Sequence, residues 1–248
     1  MVHGRLEPLR FRRYECKYLI SQAQAVEVRR AIRPHTEPDS HGRDRPGFIY
    51  PVCSLYVDSP DLRLHRQTQD GICDRYKLRI RGYDDDPEHP LFVEIKSRRN
   101  TVVTKARCPL RREHLPAALG LAPLPDGGHG AKQSVLVEFV ARVRALGAVP
   151  MTLVRYEREA YQGLFDDGHR LTMDFDIRSR RVFEPCVEVG AGTWDLVSAN
   201  AVVLELKFND RLPGWMAALI RRLGLDRTSY SKYGHSVLSS WHGNMLSV

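Results

Sequence analysis

Arg75, Lys77, Arg79 and Arg81 occupy every second position of the segment Ile72–Tyr83. In an extended strand that spacing puts four cations on one face, with Asp74, Tyr76, Leu78 and Ile80 on the other. Such a row repels itself unless water or an anion covers it. Neighbouring segments repeat the pattern. In Leu91–Arg98, Glu94, Lys96 and Arg98 share a face with Phe92; in Val102–Arg111, Lys105, Arg107 and Arg111 oppose Thr104, Ala106, Cys108 and Leu110. Lys17 lies in an earlier alternating segment, Arg158 and Arg170 in later ones, and Glu205 with Lys207 on one face of Ala201–Phe208. Guanidinium forks match phosphate oxygens, and ammonium groups serve them as point charges. The chemistry implied is that of a polyanion. Glutamates among the cations supply hard oxygen donors of the kind that suit Mg2+ or Mn2+.

The elements that must position these groups are mostly strands. Leu9–Ile20 alternates, with Arg13, Glu15 and Lys17 on one side and Tyr14, Cys16 and Tyr18 on the other. Ser21 followed by Gln24 reads as a capping box opening a helix to about Ile32. Strands are predicted at Pro51–Asp58, Ile72–Tyr83, Leu91–Arg98 and Val102–Arg111, then helices at Arg112–Leu119 and Lys132–Leu146, with a Pro/Gly-rich loop at Ala122–Gly130 between them. Further strands are predicted at Met151–Gly163, His169–Ile177, Val182–Val187 and Ala201–Phe208, and an amphipathic helix at Trp215–Leu223 that stops at Gly224. No repeat or linker divides the chain, so residues 1–248 read as one α+β domain. Two arrangements suit strands with one basic and one apolar face. Helices cover the apolar side of an open sheet, or the sheet closes into a barrel with a charged lumen.

Composition narrows the classes. The chain has 248 residues, 38 Lys plus Arg against 30 Asp plus Glu, and a formal charge of +8. An apolar share of 42% supports a core and excludes a disordered chain. No run approaches the ~18 apolar residues of a membrane span, and the basic stretch Met1–Tyr14 lacks the apolar run of a signal peptide. Five cysteines without a C-x-x-C pair are expected to be reduced, buried thiols of a cytoplasmic protein. Scattered histidines argue against zinc. A basic chain also suits nucleic acid, but few aromatic residues interleave with the cations as stacking platforms, so nucleic acid is not the expected partner.

Several motifs occur in a fixed order: Arg13-Tyr14-Glu15-Cys16-Lys17-Tyr18, Ser54-Leu55-Tyr56-Val57-Asp58, Lys77-Leu78-Arg79-Ile80-Arg81, Val93-Glu94-Ile95-Lys96 and Lys105-Ala106-Arg107. Tyr156-Glu157-Arg158-Glu159-Ala160-Tyr161, Arg170-Leu171-Thr172-Met173-Asp174, Val203-Leu204-Glu205-Leu206-Lys207 and Ser231-Lys232-Tyr233 follow. Together they resemble the VTC polyphosphate polymerase domain, a branch of the triphosphate tunnel metalloenzymes, over about residues 10–235. The resemblance implies a closed antiparallel eight-stranded β-barrel with flanking helices, its tunnel lined by cations. It carries a basic tunnel role to Lys17, Arg79, Arg81, Lys96, Lys105, Arg158, Arg170 and Lys232, and the metal-binding role to Glu205, with Glu15 and Glu94 as further metal-side carboxylates. Arg13 stands where the related CYTH branch has a first glutamate, which favours the VTC branch. Ser229 replaces a lysine of some fungal members, which loosens the grip expected at that end. The SPX domain and membrane segments of the eukaryotic complexes are not part of these residues.

The implied function is metal-dependent phosphoryl transfer, with Mn2+ or Mg2+, from ATP or another nucleoside triphosphate to inorganic polyphosphate; pyrophosphate is a further ligand of the same chemistry. Hydrolysis of tripolyphosphate or a nucleoside triphosphate uses the same groups and is the alternative, as is a non-catalytic binding barrel. Other residues have plainer expectations. Asp84, Asp85, Asp86 and Glu88 read as a solvated turn, and Tyr14, Tyr18 and Tyr56 as packing groups. Arg98, Arg99, Arg111 and Arg112 are expected to face solvent. Asp174 and Asp176 share a face with Arg170, as ion-pair partners or as metal ligands.

Overall fold

The computed structural model describes residues 13–100, 102–124, 131–190, 192–198 and 200–242. The predicted loop at Ala122–Gly130 lies largely outside them. The elements in chain order are β1 (Arg13–Ser21), α1 (Gln22–Ile32), β2 (Thr36–Pro38), β3 (Ile49–Asp58), α2 (Arg63–Gln69), β4 (Asp74–Gly82), β5 (Leu91–Arg99) and β6 (Val102–Leu110). There follow α3 (Leu115–Ala118), α4 (Ala131–Leu146), β7 (Val149–Gly163), β8 (Arg170–Arg181), β9 (Asp195–Leu196), β10 (Ala201–Asn209), α5 (Gly214–Leu223), β11 (Arg227–Thr228) and α6 (Lys232–His242). Among the described residues no helix is long and apolar enough to cross a membrane.

The strands form one antiparallel sheet in the order β11-β1-β10-β8-β7-β3-β4-β5-β6, with β2 on β7 and β9 on β8. Alternation along each strand decides what each face carries. Outward residues of β3, β4 and β5, among them Leu55, Leu78, Ile80 and Val93, pack under α3 and α4. Outward residues of β1, β8 and β10 pack under α1 and α5 through Tyr18, Met173, Leu204, Ala25, Val28 and Met216. The α1 capping box forms as read, with Gln24 N donating to Ser21 Oγ at 3.1 Å and Ser21 N to Gln24 Oε1 at 2.9 Å. Gly224 ends α5 in the left-handed conformation (φ 57°) that glycine adopts at least cost.

The sheet curls without closing. Pairing shifts at Tyr56/Val57 and between Arg155 and Glu157 add local twist. β1 and β5 lie far apart in the strand order, yet Lys96 Nζ on β5 reaches the Glu15 carboxylate on β1 at 3.3 Å. The two ends of the sheet therefore face each other across an interior. The closed barrel expected from the sequence is not the arrangement found, because the free edge of β1 is taken by β11 (Lys17 opposite Thr228, Tyr18 opposite Arg227) and β6 ends the order. Part of the interior is apolar. Tyr233 and Val237 of α6 pack there against Tyr56, Val154, Tyr156, Ile177 and Val203.

Two local expectations change. Val182–Val187 is irregular, not a strand: Val182 and Val187 pack into the outer core, and Pro185 has no N–H for a ladder. The acidic run Asp84–Glu88 lies in the turn expected of it, with Asp85 exposed, and the Asp85 carboxylate also accepts from Val189 N at 2.6 Å and Gly190 N at 2.8 Å and so pins that loop. Cys73 is exposed, while Cys53 and Cys108 are buried as expected; all five thiols are free.

The outer core makes one direct prediction. Phe139 of α4 is fully buried against the back of β3–β5, so Phe139→Ala should cost about 3–5 kcal/mol. Equilibrium denaturation would check it, and a shift below about 1 kcal/mol would mean that α4 is not docked there.

Candidate functional site

On the inner face, β4, β5 and β6 bring the basic rows together around Glu94, which is 0% exposed. Register places Arg79 opposite Glu94 and Glu94 opposite Arg107. Arg79 Nε donates to Glu94 Oε2 at 2.6 Å, and Lys105 Nζ stands 2.6 Å from Oε1. Arg107 Nε and Arg81 Nη1 lie at 3.5 and 4.0 Å. Burial works to raise the Glu94 pKa, but Arg79, Arg81 and Lys105 outweigh it and hold the group well below the usual carboxylate range. Glu94 is thus the countercharge of four cations.

The arginines are braced by hydroxyls from neighbouring strands. Arg79 Nη1 donates to Tyr56 Oη at 3.1 Å, and Arg107 Nη2 to Tyr83 Oη at 3.1 Å. Arg81 donates to Ser54 Oγ and Tyr156 Oη, both at 3.3 Å. Tyr56 is therefore more than the packing group expected of it, although it also stacks on Tyr233 at 4.8 Å. Arg81, buried and with its carboxylate partner Glu94 no nearer than 4.0 Å, is the most loosely paired of the four cations around Glu94.

A second cluster forms on β1, β7, β8, β10 and the start of α6. Arg158 grips Asp174 with two hydrogen bonds of 2.6 and 2.8 Å, and Lys232 Nζ lies 2.5 Å from Asp174 Oδ2. Glu205, opposite Lys17 in the β1–β10 register, has Lys207 at 3.0 Å, Lys17 at 3.5 Å and Lys232 at 3.6 Å. Burial alone would raise the Glu205 pKa; Lys207, Lys17 and Lys232 hold it far down. For Glu15, burial and the Glu205 charge act upward, yet Lys96, Lys207 and Lys17 bring it to about 2. Arg170 is steadied from elsewhere than expected. Its partner is Asp39 at 2.7 Å, while Asp176 pairs with Arg178 on an exposed bulge.

All the basic residues singled out in the sequence lie on or at the end of this inner face. Lys77, Arg107, Lys207 and Asp174 belong to it too; the ordered motifs contain all four, but the resemblance gave them no tunnel role. Lys77 Nζ donates to Ser231 Oγ at 2.8 Å, just before α6. Burial, reinforced by the charges of Lys17 and Lys96, pushes its pKa down to about 7. Arg112, expected in solvent, instead donates to Val187 O at 3.3 Å and pairs with Asp84 at 3.7 Å.

Among the described residues no three of His, Cys, Asp and Glu form a metal-holding group. Glu15 and Glu205 nonetheless converge, each with an oxygen within 3.5 Å of Lys17 Nζ. Two hard carboxylates fit Mg2+ or Mn2+, which takes one or two protein ligands and completes its shell with water and phosphate oxygens.

The buried countercharge is open to test. Glu94→Gln keeps the shape and leaves the surrounding cations unbalanced, so stability should fall by about 3–5 kcal/mol. Added inorganic phosphate should return part of the lost melting temperature. An unchanged denaturation midpoint would mean that Glu94 does not hold this cluster.

Comparison with known proteins places the chain. No curated protein matches it. Among solved structures, a candidate adenylate cyclase from Bacillus halodurans aligns at 14% identity over 88% of this chain and 92% of its own, with a TM-score of 0.48; a likeness at that level says nothing of activity. The VTC domain family matches residues 12–241. Because that match spans nearly the whole chain, the protein belongs to the VTC domain family.

Proposed function

We propose that the inner face is a phosphoryl-transfer site, in which the γ-phosphoryl group of ATP or another nucleoside triphosphate passes to the end of an inorganic polyphosphate chain with Mn2+ or Mg2+ bound. The observation that carries the reading is the surplus of fixed cations over carboxylates on this face, within a chain of the VTC domain family. Transfer through a loose transition state needs in-line positioning and charge stabilisation more than a protein nucleophile. Arg79 and Arg81 offer forks to equatorial phosphoryl oxygens, and Tyr56, Ser54 and Tyr156 hold those forks before ligand arrives. Lys77, Lys96 and Lys105 supply point charges along the same face. The bond from the γ-phosphorus to the bridging oxygen of the diphosphate breaks, and a terminal oxygen of the chain forms the new bond. A divalent cation at Glu205 and Glu15 would draw charge from the departing diphosphate. With water in place of the chain end, the same groups would hydrolyse the triphosphate.

Incubation with ATP and Mn2+, resolved by gel for chain length and assayed for free phosphate, tests the reading. Growing chains support transfer; free phosphate without chains means hydrolysis; neither product removes the proposal. Arg81→Ala should weaken tripolyphosphate binding by roughly 1.5–3 kcal/mol, the worth of a hydrogen bond to a charged group. Glu205→Gln should abolish turnover while metal-free polyphosphate binding persists or tightens, since one repulsive charge has left. Full Mn2+-dependent turnover in that variant would exclude the metal role.

Lys77 contributes to the pH dependence, together with Lys105 at about 7 and Lys96 at about 8, both pushed down by burial. The Lys77 pKa of about 7 leaves it mostly neutral at pH 8, and a bound phosphate favours the charged form. Tripolyphosphate binding at pH 8 should therefore take up protons and weaken as pH rises from 7 towards 9. Calorimetry in buffers of different ionisation enthalpy would read the uptake; Lys77→Met should reduce it, and equal uptake in both would assign it elsewhere.

A further inference from the structure

Asp58 ends β3 and Tyr233 lies in the first turn of α6, and one hydrogen bond joins them, Tyr233 Oη donating to Asp58 Oδ2 at 2.8 Å. The carboxylate is 0% exposed, and among the described residues no lysine or arginine is within ion-pair distance of it. Its other close partners are backbone N–H groups. Ser59 and Leu64 each donate to Oδ1 at 2.8 Å, and His65 to Oδ2 at 2.9 Å. A buried carboxylate without a cation is costly and persists only when hydrogen bonds surround it. Three of those bonds order Ser59 and the first turn of α2. The fourth leads inward. Tyr233 is stacked on Tyr56 at 4.8 Å and edge-on to His65 at 5.8 Å. Burial and the Asp58 charge hold its phenol far above the ordinary range, so it stays a donor. The residues just before it reach both basic clusters. Lys17 Nζ donates to Tyr230 O at 3.0 Å and Lys77 Nζ to Ser231 Oγ at 2.8 Å, while Lys232 Nζ lies 2.5 Å from Asp174 and 3.6 Å from Glu205. Ser231 also caps α6, accepting from Gly234 N at 3.1 Å. Residues 230–233 thus touch β4 on one side and β1, β8 and β10 on the other, and the last of them is anchored to β3.

We propose that Asp58 and Tyr233 form a clasp that positions Lys232 on the inner face, so that the two residues act on phosphate binding through Lys232 without touching the ligand. This rests on the reading of the inner face as a phosphate site and adds two positioning residues to it. The geometry favours the clasp over a plain core contact. Tyr233 and Lys232 are adjacent in the first turn of one helix, and the turn is held from outside by Asp58 and from inside by Asp174. Without the phenol bond the turn keeps its ring contacts but loses its fixed point on β3. If Asp58 were only the cap of α2 and Tyr233 only a core ring, their loss would lower stability and leave affinity alone.

The test is a double-mutant cycle on tripolyphosphate affinity, read by calorimetry in the full chain, Tyr233→Phe, Lys232→Met and the double variant, each at a temperature well below its melting transition. Tyr233→Phe removes the O–H and keeps the ring. It should weaken binding by about fivefold or more, as a small displacement of a positioned group does. Lys232→Met should weaken it further. The double variant should match Lys232→Met within about twofold, because the clasp then has nothing left to position. Losses that multiply would mean that Tyr233 does not act through Lys232, and unchanged affinity in Tyr233→Phe would confine the clasp to stability; either result overturns the proposal. Should Tyr233→Phe not fold, Asp58→Asn takes its place in the cycle with the same expectations. If the parent binds tripolyphosphate and the cycle fails, the clasp falls and the inner reading stands; if the parent does not bind it, both fall.

Discussion

Buried positive charge without enough negative charge to balance it is the constraint on which the rest of this structure depends. Glu94, Glu205, Asp174 and Glu15 each serve several cations at once. Carboxylates shared in this way hold the arginines charged inside a curled sheet, but they leave Arg81 only a 4.0 Å pairing with Glu94 and Lys77 a hydroxyl partner, Ser231, in place of a carboxylate. Isolated buried charge is expensive, so the unmatched cations are a standing preference for an anion.

Everything outside that interior works to hold it in shape. Helices α3 and α4 cover one half of the convex face and α1 and α5 the other, so the apolar residues alternating with the cations have a core of their own. Each strand of the central meander therefore contributes to two environments through its period of two. On the concave side the tyrosines have a double part, since Tyr56 and Tyr156 pack against α6 residues and also accept hydrogen bonds from Arg79 and Arg81. The guanidinium groups are thereby oriented by the fold before any ligand binds, which is how a site lowers the reorganisation needed during phosphoryl transfer.

Much of this was legible in the sequence because strand alternation is a local signal. The row from Arg75 to Arg81 and the basic faces of β5 and β6 follow from spacing alone, and the α1 capping box from two residues. What failed was long-range. Besides Arg158, Asp174 pairs with Lys232 on a helix that the sequence pattern does not announce: Gly234 and three serines weaken its helical propensity, and tertiary burial of Tyr233 and Val237 supports it. The pairing of Arg170 with Asp39 joins β8 to a loop far away in the chain. Closure was misjudged for a similar reason, because a two-residue strand, too short to show any period, occupies the edge of β1. Val182 and Val187 looked like a strand because burial alone produces apolar residues at such spacing.

The most direct measurement is a crystal structure with tripolyphosphate and Mn2+ bound, the metal located by anomalous scattering. The account predicts phosphoryl oxygens within hydrogen-bond distance of Arg79, Arg81 and Lys105, and Mn2+ between the phosphate and Glu205. Tripolyphosphate seated on the outer face, with the cations around Glu94 and Glu205 keeping their present partners, would contradict it.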